Sequence, residues 1–447
     1  MGNRLDGIAA VALPFLRVSQ EAAKQLPRSL AIAFDALPLE VIGNELTVAA
    51  AEPSEELHNR LRFATGMNVR LVRADRDQIR KQLQTAYPQA ELIDEASAVR
   101  ALDQIHREAK RRRASDVHLE PAGDVRYRVN GVLEPPEHLH KAIHIPLVSR
   151  MKLLGGMDIA ERRLPQDGAY SLEIDGEQVD VRISSIPTVN GERVAARFLC
   201  APPSVPGLDS LGMNELCLEA YRRAIEYPGG FVVVCGPTGS GKTTTLYATI
   251  AVRRARGDII CSVEDPVEMR IENVAQVQVN QRAGLTFAVA LRAFLRQDPN
   301  VIVVGEMRDA ETAAIAVSAA LSGQFVATTL HSADPCSAIE RLSDFGIARG
   351  TLGLALSAIV SQRLVRTRCK GGCWNCRDGA FCGRTGIFEV MAVDEELREA
   401  IRHSAERHVM KAREAANPSA SLWADGLSKV RSGVTTLDEL RRVAAPK

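Results

Sequence analysis

The chain has 447 residues, 46% of them hydrophobic and 25% charged, with Lys+Arg at 56 against Asp+Glu at 55. That length exceeds one ordinary core and predicts about two to four domains of a soluble globular protein. The balanced charge gives no footprint for a nucleic-acid partner, and no apolar run approaches the roughly 18 residues that span a bilayer.

The N-terminal MGNRLDGIAAVALPFL carries one Arg and a short apolar patch broken by Pro14, so a signal peptide is not expected. The chain is expected in the cytoplasm, where disulfides are rare. Residues 1–90 form a first domain that mixes helix and strand. LTVAAAEP (Leu46–Pro53) predicts a strand entering a turn, and SEELHNRLRFATG (Ser54–Gly66) a capped helix closed by its glycine. QAELIDEAS then turns polar, as a linker does.

Residues 91–203 form a second, α+β domain. Apolar residues recur at helical spacing from Ala98 to Lys110. The basic run Lys110–Arg113 reads as a solvated helix end, and a strand follows it. DVRYRVNGVLE is a hairpin with an Asn-Gly turn, and YSLEIDGEQVDVRISSI repeats the pattern. CAPPSVPG (Cys200–Gly207), with three prolines and a glycine, is the strongest linker signal. Beyond it, GFVVVCG, DIICSVED, NVIVVGE and GQFVATTLH are continuous apolar strands alternating with helices. Such runs are buried on both faces, as in a parallel sheet. The expected fold is therefore α/β, with a parallel-sheet core over 207–366 and a C-terminal segment over 367–447.

Within that core, FVVVCGPTGSGKTTTLYATI is a strand, a glycine-rich loop and a helix. Gly236, Pro237, Thr238, Gly239, Ser240, Gly241, Lys242, Thr243 and Thr244 match the phosphate-binding loop completely. The glycines let backbone N–H groups point at phosphate oxygens, and the helix N-terminus adds positive potential. Lys242 is predicted to reach the β- and γ-phosphates of ATP, and the Thr243 hydroxyl to ligate Mg²⁺. Glu306 closes the strand NVIVVGE, and Glu264, Asp265 and Glu268 close another. These acids are candidates to orient water or assist in holding Mg²⁺.

The phosphate loop, SVEDPVE, LRAFLRQDPNVIVVGEMRD and VATTLHSADPCSAIERLSDFG together resemble the type II secretion and type IV pilus assembly ATPases. ASDVHLEP, VRYRVNGVL, VSRMK and MDIAERRLPQDG resemble that family's second N-terminal domain, and DGLSKVRSGVTTLDEL its C-terminal helices. The resemblance implies a RecA-like ATPase domain behind α+β N-terminal domains. It also implies a cytoplasmic homohexamer that hydrolyses ATP to drive pilin or pseudopilin assembly. The partners implied are an inner-membrane platform protein and a membrane-anchored partner with a cytoplasmic domain. The first N-terminal domain is implied to dock onto a membrane-bound partner. Glu264, Asp265 and Glu268 match the Asp box, and Glu306 the Walker B acid. Arg128 and Arg150 match arginine fingers, with Arg126 a weaker candidate. His331 matches the second histidine of the His box and is a candidate γ-phosphate sensor.

This chain departs from the family pattern at three places. Gln324 occupies the first His-box position, where it can make a sensing hydrogen bond but cannot carry charge. QLPRSLAIAFDALPLE resembles only half of the cyclic-di-GMP motif of some relatives, so that ligand is not expected. Four of the nine cysteines fall within the fourteen residues CKGGCWNCRDGAFC. Cys369, Cys373, Cys376 and Cys382 resemble a shortened zinc insert and are enough for a closed tetrahedral Zn²⁺ site; a metal-free reduced loop and a disulfide are the alternatives. Two other functions compete with the motor: a nucleotide-binding regulator without turnover, and a nucleic-acid translocase. For the latter, aromatic stacking surfaces are scarce, at 4% of the chain.

Overall fold

The computed structural model describes residues 18–26, 28–86, 95–199, 205–371, 381–402 and 421–445. The chain forms two compact units that divide after Arg100.

In the first unit, helices α1 (Gln20–Gln25) and α2 (Arg28–Ala33) precede strands β1 (Ala36–Ile42) and β2 (Glu45–Ala50). Helix α3 (Glu55–Thr65), strand β3 (Asn68–Arg73) and helix α4 (Arg76–Ala86) follow. The Ser54 hydroxyl caps α3 by accepting the Leu57 N–H, and Gly66 ends it in the left-handed conformation, φ 68°. The predicted strand and capped helix are both present. β1 and β2 pair antiparallel, whereas β2 and β3 pair parallel, with α3 as the crossover between them. Leu37, Leu46, Val48, Leu61, Val69 and Ile79 fill the core.

The second unit contains two sheets. Helix α5 (Glu95–Arg112) leads into strands β4 (Ala114–Leu119), β5 (Asp124–Val129), β6 (Val132–Leu133) and β7 (Glu137–His138). Helix α6 (His144–Leu154) and strands β8 (Gln166–Ile174), β9 (Glu177–Thr188) and β10 (Gly191–Leu199) complete the layer. The strand order is β6-β5-β4-β10-β9-β8, with β7 beside β5. Asn130 and Gly131 take positive φ in the β5–β6 turn, as do Asp175 and Gly176 between β8 and β9. Along β9, Val179, Val181 and Ile183 face Leu102 and Ile105 of α5 and Val148 and Met151 of α6. The intervening residues, Arg182 among them, open to the other side.

Arg111 and Arg113 are exposed, as a solvated helix end predicts, but Arg112 is not. Arg112 has a side chain only 7% exposed, pairs with Glu108, Glu134 and Glu137, and lies over the Tyr127 ring. Three carboxylates and an aromatic face offset the desolvation of one guanidinium and pin α5 to the following hairpin.

His106, on α5, is buried beside Tyr170 and Phe198, with a ring nitrogen 2.8 Å from the Tyr170 hydroxyl. Burial lowers its pKa from 6.5 to about 4. The folded state therefore binds fewer protons than the unfolded chain between those values. The stabilisation is complete above pH 6.5 and is lost as pH falls toward 4, a swing of roughly 3 kcal/mol. Urea unfolding at a series of pH values should show this acid dependence in the wild type and a flatter one in His106→Phe.

Further along the chain, strands β11 (Gly230–Cys235), β12 (Ile260–Glu264), β13 (Ala275–Gln278), β14 (Val301–Val304), β15 (Phe325–Leu330), β16 (Leu356–Arg368) and β17 (Phe381–Ala392) form the second sheet. Its order is β13-β12-β14-β15-β11-β16-β17. Every neighbouring pair is parallel except β16–β17. β12, β14 and β15 are buried along their whole length, as their apolar runs predict. Helices α7 (Glu215–Glu226) and α8 (Lys242–Ala255) cover one face. Helices α9 (Phe287–Phe294), α10 (Ala310–Leu321), α11 (Pro335–Asp344), α12 (Arg349–Ala355) and α13 (Glu395–Arg402) cover the other. The terminal helices α14 (Leu422–Arg431) and α15 (Leu437–Val443) pack Leu422 and Leu440 against Val365 and Ile387 of the β16–β17 ribbon.

Candidate active site

The parallel register brings the C-terminal ends of β11, β12, β14 and β15 to one edge. Cys235 pairs with Leu330, Val304 with Thr328, and Val263 with Val304. Open α/β sheets form their ligand crevices at such an edge.

The loop after β11 curls through Gly236, Gly239 and Gly241, all at positive φ. Gly241 has φ 88°, a conformation that favours glycine, and a Cβ there would also crowd the Gln362 amide at 2.8 Å. Gly241 is also the N-cap of α8 and supplies no side-chain bond to the first turn, which leaves those N–H groups for an anion. The Ser240 hydroxyl is buried without a partner among the described residues. Lys242 is 8% exposed and donates to the carbonyls of Gly236 at 2.9 Å and Pro237 at 3.0 Å. Burial lowers its pKa, and the nearby Glu306 opposes that shift. An uncapped helix start, an unpartnered hydroxyl and a buried ammonium suit a triphosphate.

The acids divide by environment. Glu264, at the end of β12, is buried with both oxygens engaged. Oε2 accepts from the Tyr247 hydroxyl at 2.5 Å, and Oε1 from Ser262 at 2.7 Å and Gln276 at 3.1 Å. Three donors thus hold this carboxylate in place. Glu268 lies near Thr243 of the phosphate loop, whose hydroxyl favours its ionised form. Desolvation by the cleft walls raises its pKa first and the Glu264 charge second, although its side chain opens to solvent. Glu306, two residues beyond β14, pairs with Arg308 at 2.8 Å and with His331, just past β15, at 3.1 Å. Arg308 also reaches Asp265 at 3.1 Å and so ties the two acidic strand ends together. Burial and the Lys242 charge lower the pKa of His331.

The structure thus brings Lys242, Thr243, Glu264, Glu268, Glu306 and His331 to one edge. It does not bring Gln324 there. Gln324 precedes β15 whereas His331 follows it, and at about 3.3 Å per residue the two stand roughly 20 Å apart. The sensing bond expected of Gln324 is therefore not made at this edge; its amide oxygen is buried without a partner among the described residues.

Arg182 was not singled out from the sequence. Behind burial, Glu264 and Thr243, its charge is the least of the influences on Glu268 and favours the carboxylate form. The register places it in a row: Arg182 opposite Arg197, Arg197 opposite Asp116, and Asp116 opposite Arg128. Asp116 pairs with Arg197 at 3.0 Å and with Arg128 at 3.5 Å. Arg126 donates to the Glu134 carbonyl. Arg150 is half-buried on α6 and makes no ion pair among the described residues. The sequence signal for Arg182 was its outward position in the alternation of VDVRIS.

The model of the type II/IV secretion system proteins matches residues 91–442. The chain belongs to that family. A MshEN domain model matches residues 7–92 of this family member. The type II secretion system protein HxcR of Pseudomonas aeruginosa is 43% identical over 366 residues, covering 78% of each chain. The type IV pilus assembly ATPase PilB of Myxococcus xanthus is 34% identical over 510 residues, covering 98% of this chain and 89% of its own. Among solved structures, the pilus retraction motor PilT with bound ADP superposes with a TM-score of 0.54 at 25% identity, covering 77% of this chain and 97% of its own. The Legionella pneumophila ATPase DotB superposes at 0.59 and 22% identity, covering 76% and 94%, and supports the fold. The α/β fold with a RecA-like ATPase core is that of the secretion ATPases, and the general motor role follows from the family.

Cys369 and Cys382 lie beside the last ladder pair of the β16–β17 ribbon, Arg368 with Phe381. Cys373 and Cys376 lie outside the described residues. Among the described residues, no group of three or more potential ligands is arranged to hold a metal, and no helix is long and apolar enough to cross a membrane.

Proposed function

We propose that this secretion-family chain hydrolyses ATP and couples the hydrolysis to pilin or pseudopilin assembly in a type IV pilus or type II secretion machine. The observation that carries the proposal is the meeting of the Gly236–Thr244 loop with Glu268, Glu306 and His331 at one sheet edge. Thr243 would hold Mg²⁺, which supplies charge compensation on the phosphates. Glu306 and Glu268 are the acids proposed to orient the attacking water, since Glu264 is buried with three donors on its carboxylate. His331 senses the γ-phosphate. Arg182 extends the finger assignment first given to Arg128 and Arg150.

The active form in this proposal is a cytoplasmic homohexamer at the inner membrane, bound to a platform protein and a membrane-anchored partner. The four-part division at 1–90, 91–203, 207–366 and 367–447 belongs to the same reading. The MshEN-like first domain takes the docking role, without cyclic-di-GMP. A nucleic-acid track forms no part of it, because the guanidinium of Arg112 is committed to three carboxylates. Cys369, Cys373, Cys376 and Cys382 would hold a structural Zn²⁺ at the tip of the β16–β17 ribbon, with two of the four thiols already at its neck.

Protein purified without chelator provides the test. It should turn over Mg²⁺-ATP, lose turnover in Lys242→Ala, and carry one zinc per chain. Tight ATP binding with no turnover would instead identify a regulator.

A further inference from the structure

Tyr247 stands one turn beyond Thr243 on α8, and nothing in the phosphate-loop chemistry assigns it a task. Its ring is buried, and its phenolic oxygen makes three hydrogen bonds. It donates to Glu264 Oε2 at 2.5 Å and accepts from the backbone N–H groups of Glu268 at 3.1 Å and Met269 at 3.3 Å. Desolvation first, and the Glu264 carboxylate second, raise the phenol's pKa and keep the proton in place. A phenol oxygen that donates once and accepts twice has its capacity filled.

The chain from Asp265 to Val274, between β12 and β13, has no regular secondary structure of its own. Side chains take its N–H groups instead. Gln278 accepts from Val267 and Gln276 from Ile271, while Tyr247 alone takes the two that flank the carboxylate-bearing residue. Glu268 lies near Thr243, one helical turn before Tyr247, and the Thr243 hydroxyl favours its ionised form. The loop is thus fastened to the same helix that leads out of the phosphate loop.

We propose that the Tyr247 hydroxyl is a positioning group that clamps the Glu268 loop to α8 and so holds the Glu268 carboxylate in register with Thr243. It acts through Glu268, and the proposal rests on the reading of this chain as an ATP-hydrolysing motor. Plain core packing of the ring would need no hydroxyl, so Tyr247→Phe in the full-length chain separates the two roles. Misplacement of a reacting group by about 1 Å costs on the order of 10²-fold. We therefore expect kcat to fall roughly 10- to 100-fold with KM within about threefold. Amide hydrogen exchange across Asp265–Ile271 should accelerate at least about tenfold while β12 stays protected.

Unchanged kcat, or unchanged exchange of that segment, would overturn the clamp. A wild-type chain that turns over no faster than Lys242→Ala would sink the hydrolysis reading alone, and the exchange rates would still decide the clamp. If Tyr247→Phe does not melt cooperatively, a difluorotyrosine at 247 keeps ring and hydroxyl but weakens the acceptor. The same acceleration is expected there, and its absence overturns the proposal.

Discussion

Glu306→Gln should bind ATP within a few-fold of the wild type and hydrolyse it on the order of 10²- to 10³-fold more slowly, the range expected when a positioned acid-base group is neutralised. The substitution keeps shape and hydrogen-bonding capacity but removes the charge that Arg308 and His331 share. Lys242 keeps its two carbonyl contacts with the loop, so binding should survive. Single-turnover hydrolysis beside equilibrium binding of a fluorescent ATP analogue separates the two effects. Retained hydrolysis would transfer the water-orienting role to Glu268.

Arg182→Ala should lower kcat on the order of 10³-fold, the lower end of what an arginine finger contributes. Two arginines directly opposite each other on neighbouring strands repel, and a sheet keeps such a pair at a cost. Asp116 compensates Arg197 and Arg128, its two ion-pair partners among the described residues. Arg182 is exposed, and its charge favours the ionised form of Glu268. A transferring phosphate is the anion that this arrangement fits. Arg182→Lys should recover only part of the rate, because an ammonium cannot make the two-pronged contact of a guanidinium. Arg128→Ala and Arg150→Ala belong in the same assay, and a larger fall in either would return the finger role to it.

What could be read from the sequence was local or periodic. The phosphate loop is a contiguous motif. The four strands that converge on it are short apolar runs whose ends announce themselves by Gly236, Glu264, Glu306 and His331. Hairpins marked by Asn130-Gly131 and Asp175-Gly176 are fixed by turn chemistry. The missed features depend on partners distant along the chain. Glu264 looked like a free strand-end acid until Tyr247 and Gln276, from α8 and β13, closed around it. Arg112 looked solvated because two of its carboxylates, Glu134 and Glu137, lie beyond the next hairpin. The distance of Gln324 from His331 was not legible either, because β15 separates its two ends by its own length.

The β16–β17 ribbon has a consequence for how the cysteine segment could shorten. Its ladder runs from Ala358 with Ala392 to Arg368 with Phe381, and Glu439 and Asp425 fasten its flank through Arg366 and the Phe388 N–H. Both stems are thereby anchored before the segment between Cys369 and Cys382 begins. Lengthening or trimming such a tip changes closure entropy only logarithmically, by about 0.6 kcal/mol per doubling. The ribbon works as a socket: inserts of different size can be mounted on it while β11, and the phosphate loop beyond it, keep their places.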